Sequence, residues 1–178
     1  MPAFIRKKRF LLPVGSLVIL LFGFLFSAEI INPVKGASQA DYHPESFWYY
    51  PWGKSVVHKG VDIFGKKGKP VLAATGGWIV FARELGMGGN VLIVLGPHWQ
   101  LHYYAHLDEF KVARFDWVSQ GEEIGTVGNS GNAFGKAPHL HYTIWSMIPY
   151  PWLMDEAPQG WKKCYILDPV KRLNRLYD

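Results

Sequence analysis

The chain has 178 residues, enough for one globular domain with appendages and a real hydrophobic core. Its 19 basic and 14 acidic side chains give a formal charge of +5, but Arg6, Lys7, Lys8 and Arg9 supply four of those charges. Residues 29–178 are therefore close to neutral, which removes the compositional case for nucleic-acid binding, and the single cysteine, Cys164, excludes an intrachain disulfide and a thiolate zinc cluster.

Behind the basic cluster, residues 10–28 run for 19 positions without a charge. As a helix they would reach about 28 Å, against a hydrocarbon core of roughly 30 Å, and Pro13, Gly15 and Gly23 are tolerable there. Residues 1–28 are expected to form a cytoplasmic basic stub followed by an inner-membrane anchor or signal peptide. Ser27 and Ala28 suit a processing site, whereas bulky Phe26 occupies a position that normally needs a small side chain, so the anchor is favoured. Either way the basic end stays in the cytoplasm, and the rest is delivered to the periplasm or cell wall, or secreted if the segment is cleaved.

Residues 29–50, polar and proline-bearing, read as a linker that turns aromatic at Phe47-Trp48-Tyr49-Tyr50. Residues 51–178 read as the functional domain. Its apolar runs, such as Trp78 to Ala82 and Val91 to Leu95, are short and punctuated by glycine, which is an all-β pattern. Gly86-Met87-Gly88-Gly89-Asn90 and Gly128-Asn129-Ser130-Gly131-Asn132 suit tight turns or cleft walls. Near the end, Asp168 as N-cap, Pro169 at the first helical position and apolar Val170, Leu173 and Leu176 predict a short C-terminal helix packed on the sheet.

Metal-capable side chains fall in two short segments, His58-Lys59-Gly60-Val61-Asp62 and His139-Leu140-His141, with Tyr104-Ala105-His106-Leu107 between them. Tyr142, Thr143, Ile144 and Trp145 favour an extended strand, which places His139 and His141 on one face and Leu140 in the core. His58 and Asp62, four apart, share one side of a strand or a helix; Gly60 argues for an extended segment with a close backbone approach. Two imidazoles and a carboxylate fill three corners of a zinc tetrahedron and leave one for water, whose pKa falls from 15.7 to roughly 7 on such an ion. No His-Glu-x-x-His helix is present, so histidine is the natural general base.

In chain order the sequence resembles the lysostaphin/LytM-type zinc metallopeptidases of bacterial peptidoglycan. The likeness runs from His-Lys-Gly-Val-Asp-Ile at His58 through Gly68-Lys69-Pro70-Val71-Leu72-Ala73-Ala74, Gly77-Trp78-Ile79-Val80 and Gly89-Asn90-Val91-Leu92-Ile93. It continues through Tyr103-Tyr104-Ala105-His106-Leu107, Val118-Ser119-Gln120-Gly121-Glu122-Glu123-Ile124-Gly125, Val127-Gly128-Asn129-Ser130-Gly131 and Pro138-His139-Leu140-His141-Tyr142. The resemblance implies a compact antiparallel β-sheet or β-sandwich peptidase core, one Zn²⁺ held by His58, Asp62 and His141, and a catalytic pair, His106 and His139. Which of the pair removes the proton is open. It also implies peptidoglycan as substrate, with a protein activator as a further partner. Gly135-Lys136-Ala137-Pro138 departs from the family's shorter turn and bears on substrate preference.

Tyr104 and Tyr142 are candidates for supporting or substrate contacts, and His102, four before His106 on the same face of a regular strand, is a third, more peripheral one. His43 and His98, beside prolines, are expected to be solvated. Asp108 and Glu109 are expected to be loop charges, and most tryptophans core. Two other readings compete: a non-catalytic relative that binds the wall and regulates another hydrolase, and a biotinyl- or lipoyl-carrier half-barrel. The second lacks the modified lysine and leaves the histidines unexplained.

Overall fold

The computed structural model describes residues 15, 17, 18 and 20–178. Among them nine strands form one antiparallel sheet: β1 (Val61–Phe64), β2 (Pro70–Leu72), β3 (Gly77–Glu84), β4 (Asn90–Gly96), β5 (Gln100–Phe110), β6 (Trp117–Val118), β7 (Glu123–Val127), β8 (His139–Ser146) and β9 (Ile166–Leu167). The main path is β1-β8-β5-β4-β3-β6, with β9 on β8 and β7 joining β2 to β5. The all-β expectation therefore holds.

β5 organises the sheet. Its first half pairs with β4 on one edge and β8 on the other, ending with Ala105 opposite His141. From Leu107 onward β7 takes over the edge that β8 leaves. Along β8, Leu140, Tyr142 and Ile144 are fully buried against Val61 and Ile63 of β1 and Tyr104 of β5. The alternate positions, His139, His141, Thr143 and Trp145, face a cleft on the other side.

Residues 29–50 are not a free linker. The backbone of Ile31, Pro33 and Lys35 bonds to that of Ala74, Leu72 and Pro70 along the open edge of β2, and Ile30, Val34, Tyr42 and Trp48 are buried. An edge strand presents unpaired N–H and C=O groups, and this segment covers them. Its aromatic end then reaches the site: Trp48 N donates to His58 O (2.7 Å) and His58 N to Tyr49 O (3.0 Å).

The C-terminal helix, Pro169–Asn174, forms as expected, with Asp168 Oδ1 accepting from Lys171 N at 3.0 Å and Val170 and Leu173 buried. It stops before Leu176, which is exposed instead of completing the apolar stripe. Of the stretch expected to enter a membrane, residues 10–14, 16 and 19 lie outside the described residues, as do residues 1–9. Among the described residues no helix is long and apolar enough to cross a bilayer. The helical run there ends at Phe22, and Leu20 O and Gly23 O accept from Trp99 Nε1 and His98 N, both at 2.8 Å.

His102 is buried in the core, its Nδ1 2.6 Å from the Tyr142 hydroxyl. Burial, with a smaller push from Arg172, lowers its pKa from 6.5 to about 3. The unfolded chain thus takes up this proton first as pH falls below about 6.5, and stability is lost down to about pH 3 at roughly 1.4 kcal/mol per pH unit. His102→Gln is expected to shrink the stability difference between pH 6.5 and pH 5, read from urea denaturation, by about 2 kcal/mol. An unchanged difference would show that His102 does not set this part of the acid limb.

Candidate metal centre

β1 and β8 are in a register that sets Asp62 directly opposite His141 and Phe64 opposite His139. His58, three residues before β1, swings its ring over the same spot. Three donor atoms meet there: His141 Nδ1 lies 2.7 Å from Asp62 Oδ1, and His58 Nε2 lies 3.1 Å from both. They are the described His, Cys, Asp or Glu group whose ligand atoms all fall within 4.8 Å of one another.

Hydrogen bonding at the rear of each ring fixes what the front presents. A carbonyl only accepts, so His58 Nδ1, 2.8 Å from Ser46 O, carries its proton and Nε2 is left as a lone pair. His141 Nε2 faces the Thr143 hydroxyl at 3.1 Å. Burial raises the Asp62 pKa, but the contacts with His141 and His58 outweigh it and hold the carboxyl well below its usual range, so Asp62 is ionised. Burial lowers the His141 pKa against the pull of Asp62. Of the three converging atoms only His141 Nδ1 can supply a proton while neutral, and one proton cannot satisfy all three contacts. A tetrahedral zinc site with ligands at 2.0–2.2 Å has donor–donor edges of about 3.3 Å, a few tenths longer than those here, so the donor set fits one divalent ion.

The second pair of imidazoles borders this triangle. His139 Nδ1 lies 2.8 Å from Ala137 O and His106 Nδ1 2.9 Å from Ser130 O, so both present a free Nε2. His139 Nε2 is 4.0 Å from Asp62 Oδ2, and the His106 and His139 ring centroids are 5.0 Å apart. Burial, then the nearby His141 and His139, lowers the His106 pKa from 6.5 to about 4, keeping that imidazole neutral at pH 7.

His106 reaches the cleft only because β5 breaks its alternation. Asn90 pairs with Leu107 but Leu92 with Tyr104, so one extra residue is inserted at Ala105-His106, and His106 takes φ +64°. Such a bulge re-aims a side chain, and a non-glycine residue at positive φ is held there by its surroundings. The Asn90 side-chain amide donates to Leu107 O (3.1 Å) and Asp108 O (3.2 Å). Ser130 Oγ donates to Leu107 O (2.8 Å) and accepts from Asn90 N (2.9 Å). The two glycine-rich loops press together beneath the bulge: a Cβ at Gly131 would lie 2.3 Å from Gly89 N.

Three sequence expectations are corrected by the strand geometry. His102 and Tyr104 precede the bulge and face the core, where Tyr104 accepts from Ala74 N at 2.9 Å. Tyr142 alternates away from His141 into the same core. None of the three lines the cleft. The residues that do, and were missed, are Tyr103, stacked on Trp145 at 6.2 Å, and Trp52, 4.4 Å from the His58 ring. Trp145 lines the cleft as well, and alternation from His139 and His141 carried a signal for it; Tyr103 required the β5–β8 register. The cleft encloses about 460 Å³. His43 is exposed as expected, whereas His98 is half-buried against Phe24.

Gly60 has the role that its place between two candidate ligands suggested. A Cβ there would sit 2.5 Å from Tyr142 O and 2.6 Å from Thr143 Oγ1. Gly60→Ala must push the pre-β1 segment off the central strand, at a cost of about 1–3 kcal/mol in denaturant unfolding. A neutral substitution would mean that this approach is looser than described.

Comparison with known proteins agrees with this geometry. The Peptidase family M23 profile matches residues 56–150. Lysostaphin of Staphylococcus simulans is 40% identical over 98 residues, 52% of this chain and 19% of lysostaphin. The peptidoglycan DD-endopeptidase ShyA of Vibrio cholerae is 33% identical over 96 residues, 53% of this chain and 22% of ShyA. The murein hydrolase activator NlpD of Escherichia coli is 32% identical over 111 residues, 57% of this chain and 28% of NlpD. The chain thus spans less than a third of the length of each. Among solved structures, the catalytic domain of the antimicrobial peptidase lysostaphin superposes with a TM-score of 0.53 at 34% identity, covering 56% of this chain and 76% of that domain. By sequence and fold, the chain belongs to peptidase family M23.

Proposed function

We propose that this protein is a zinc-dependent endopeptidase that cleaves peptide bonds, in cross-links or stem peptides, of bacterial peptidoglycan. The observation that carries the reading is the convergence of His58 Nε2, Asp62 Oδ1 and His141 Nδ1 within 3.1 Å of one another, bordered by two further imidazoles with free Nε2 atoms. His58, Asp62 and His141 would hold one zinc ion. Such an ion, when bound, supplies Lewis acidity toward the scissile carbonyl and makes hydroxide available near neutral pH.

The chain's own residues do the rest. One carboxylate and two neutral imidazoles leave the loaded site with a formal charge of plus one, which favours a developing oxyanion. His106 and His139 share two tasks at their Nε2 atoms: accepting the proton of the attacking water and delivering that same proton to the leaving amine. Their Nδ1 atoms are held by Ser130 O and Ala137 O, so neither ring turns away during the transfer. Trp52, Tyr103 and Trp145 form apolar walls that orient the peptide and exclude water.

The site of action would be the cell envelope, with residues 10–28 as an inner-membrane element and residues 51–178 outside. A regulatory role is the competing reading, since NlpD is named a murein hydrolase activator. The complete set of five side chains favours catalysis, because a regulator has no use for them. Metal analysis of the purified protein, with peptidoglycan digestion by wild type, His141→Ala and His106→Ala, separates the two. We expect one zinc per wild-type chain, loss of zinc and hydrolysis in His141→Ala, and retained zinc with hydrolysis reduced about 10²- to 10⁴-fold in His106→Ala. Zinc without hydrolysis by wild type would favour the regulator, and hydrolysis that survives in His141→Ala would overturn the assignment of the centre.

A further inference from the structure

The cleft is unbalanced in charge. One carboxylate lines it, Asp62, and its Oδ1 is already shared by two imidazoles, whereas two ammonium groups, Lys59 and Lys136, line it as well. The ion pairs formed by described lysines are Lys67–Asp108, Lys111–Glu109 and Lys163–Asp155, so neither cleft lysine has a carboxylate partner. Lys59 Nζ donates to Ser55 O at 2.6 Å and to Val57 O at 3.5 Å and is half-buried. A partly desolvated ammonium that meets only backbone carbonyls is stabilised further by an anion brought into the cleft.

Lys136 is exposed and stands in Gly135-Lys136-Ala137-Pro138, the stretch that leads into β8. Gly65 N donates to Pro138 O at 3.3 Å, so this loop adjoins the turn after β1, Gly65-Lys66-Lys67-Gly68-Lys69. That turn lines a second depression, which meets the cleft at Phe64. Lys66 and Lys69 therefore add cations past the His139 end of the cleft, where Asp41 is the one carboxylate lining the depression and Lys67 is already paired with Asp108.

We infer that the cleft selects anionic peptides, and that Lys136 reads a free carboxylate on a residue flanking the scissile bond, in preference to a carboxamide or a run of glycine. This rests on the endopeptidase reading and adds the charge of its substrate.

The test pairs a synthetic cross-linked stem peptide bearing that free carboxylate with its carboxamide twin, which keeps shape and removes charge. Both are cleaved by the full chain, zinc-loaded, at 20 mM and 300 mM salt. An exposed ion pair supports a preference of about three- to fivefold in kcat/KM for the carboxylate at low salt, falling toward unity at high salt. Lys136→Gln should reduce cleavage of the carboxylate peptide more than that of its twin and roughly abolish the ratio, while Lys136→Arg retains it. Equal cleavage of the twins by wild type, or a ratio unmoved by Lys136→Gln, overturns the inference while leaving the peptidase reading intact. Cleavage of neither twin overturns both.

Discussion

Three ligand-capable atoms lie within 3.1 Å of one another, closer than a single proton can satisfy, and the rest of this structure is arranged to keep them together. The constraint begins with strand register. Asp62 faces His141 only because β1 and β8 pair in one alignment, and a slip of β1 by one residue would turn Asp62 to the core face. Buried Val61, Ile63, Leu140 and Tyr142 make that slip costly, since each alternate residue would have to exchange core for cleft. His58 needs a separate device, because it precedes the ladder. Gly60 brings the segment against Tyr142 O, and Trp48 and Tyr49 bond the His58 backbone on its outer side.

The second pair of imidazoles depends on an irregularity rather than on regular pairing. A continuous β5 would send His106 into the core with His102 and Tyr104. The extra residue at Ala105-His106 turns it toward His139, and positive φ at a histidine persists only where surroundings impose it. Here Asn90 and Ser130 impose it, each from a glycine-rich loop, and the loops approach too closely for any side chain at Gly89 or Gly131. Glycines that look like hairpin punctuation are thus the floor under a cleft histidine.

This separates what the sequence could reveal from what it could not. The His-x-His strand, the His58–Asp62 pairing around Gly60, the all-β class and the capped C-terminal helix follow from local rules: alternation, four-residue spacing, turn and cap chemistry. Tyr104 and Tyr142 are immediate neighbours of cleft residues, and alternation sends them to the opposite face; His102 has the right four-residue spacing, but the bulge between it and His106 breaks the shared face. The bulge is not a local property at all; it exists because Asn90 and Ser130 come from elsewhere in the chain. The covering role of residues 29–50 was equally hidden, since polar composition and prolines suit a linker and an edge strand alike. Leu176 shows the limit of periodicity in the other direction, an apolar residue in phase with a helix that has already ended.

The anchors of the imidazoles bear on how the site relates to the fold. Ser46 O, Ser130 O and Ala137 O, which hold His58, His106 and His139, are backbone carbonyls, placed by loops and strand ends rather than by side-chain identity. Exchanging one of those histidines leaves its carbonyl where it was, free to be met by water or another donor. The architecture therefore does not depend on the chemistry it supports, and a family with this fold can hold both peptidases and an activator. The reverse dependence is strict: a free Nε2 at three histidines requires all three carbonyls to be in place, and a random chain would not line them up around one carboxylate.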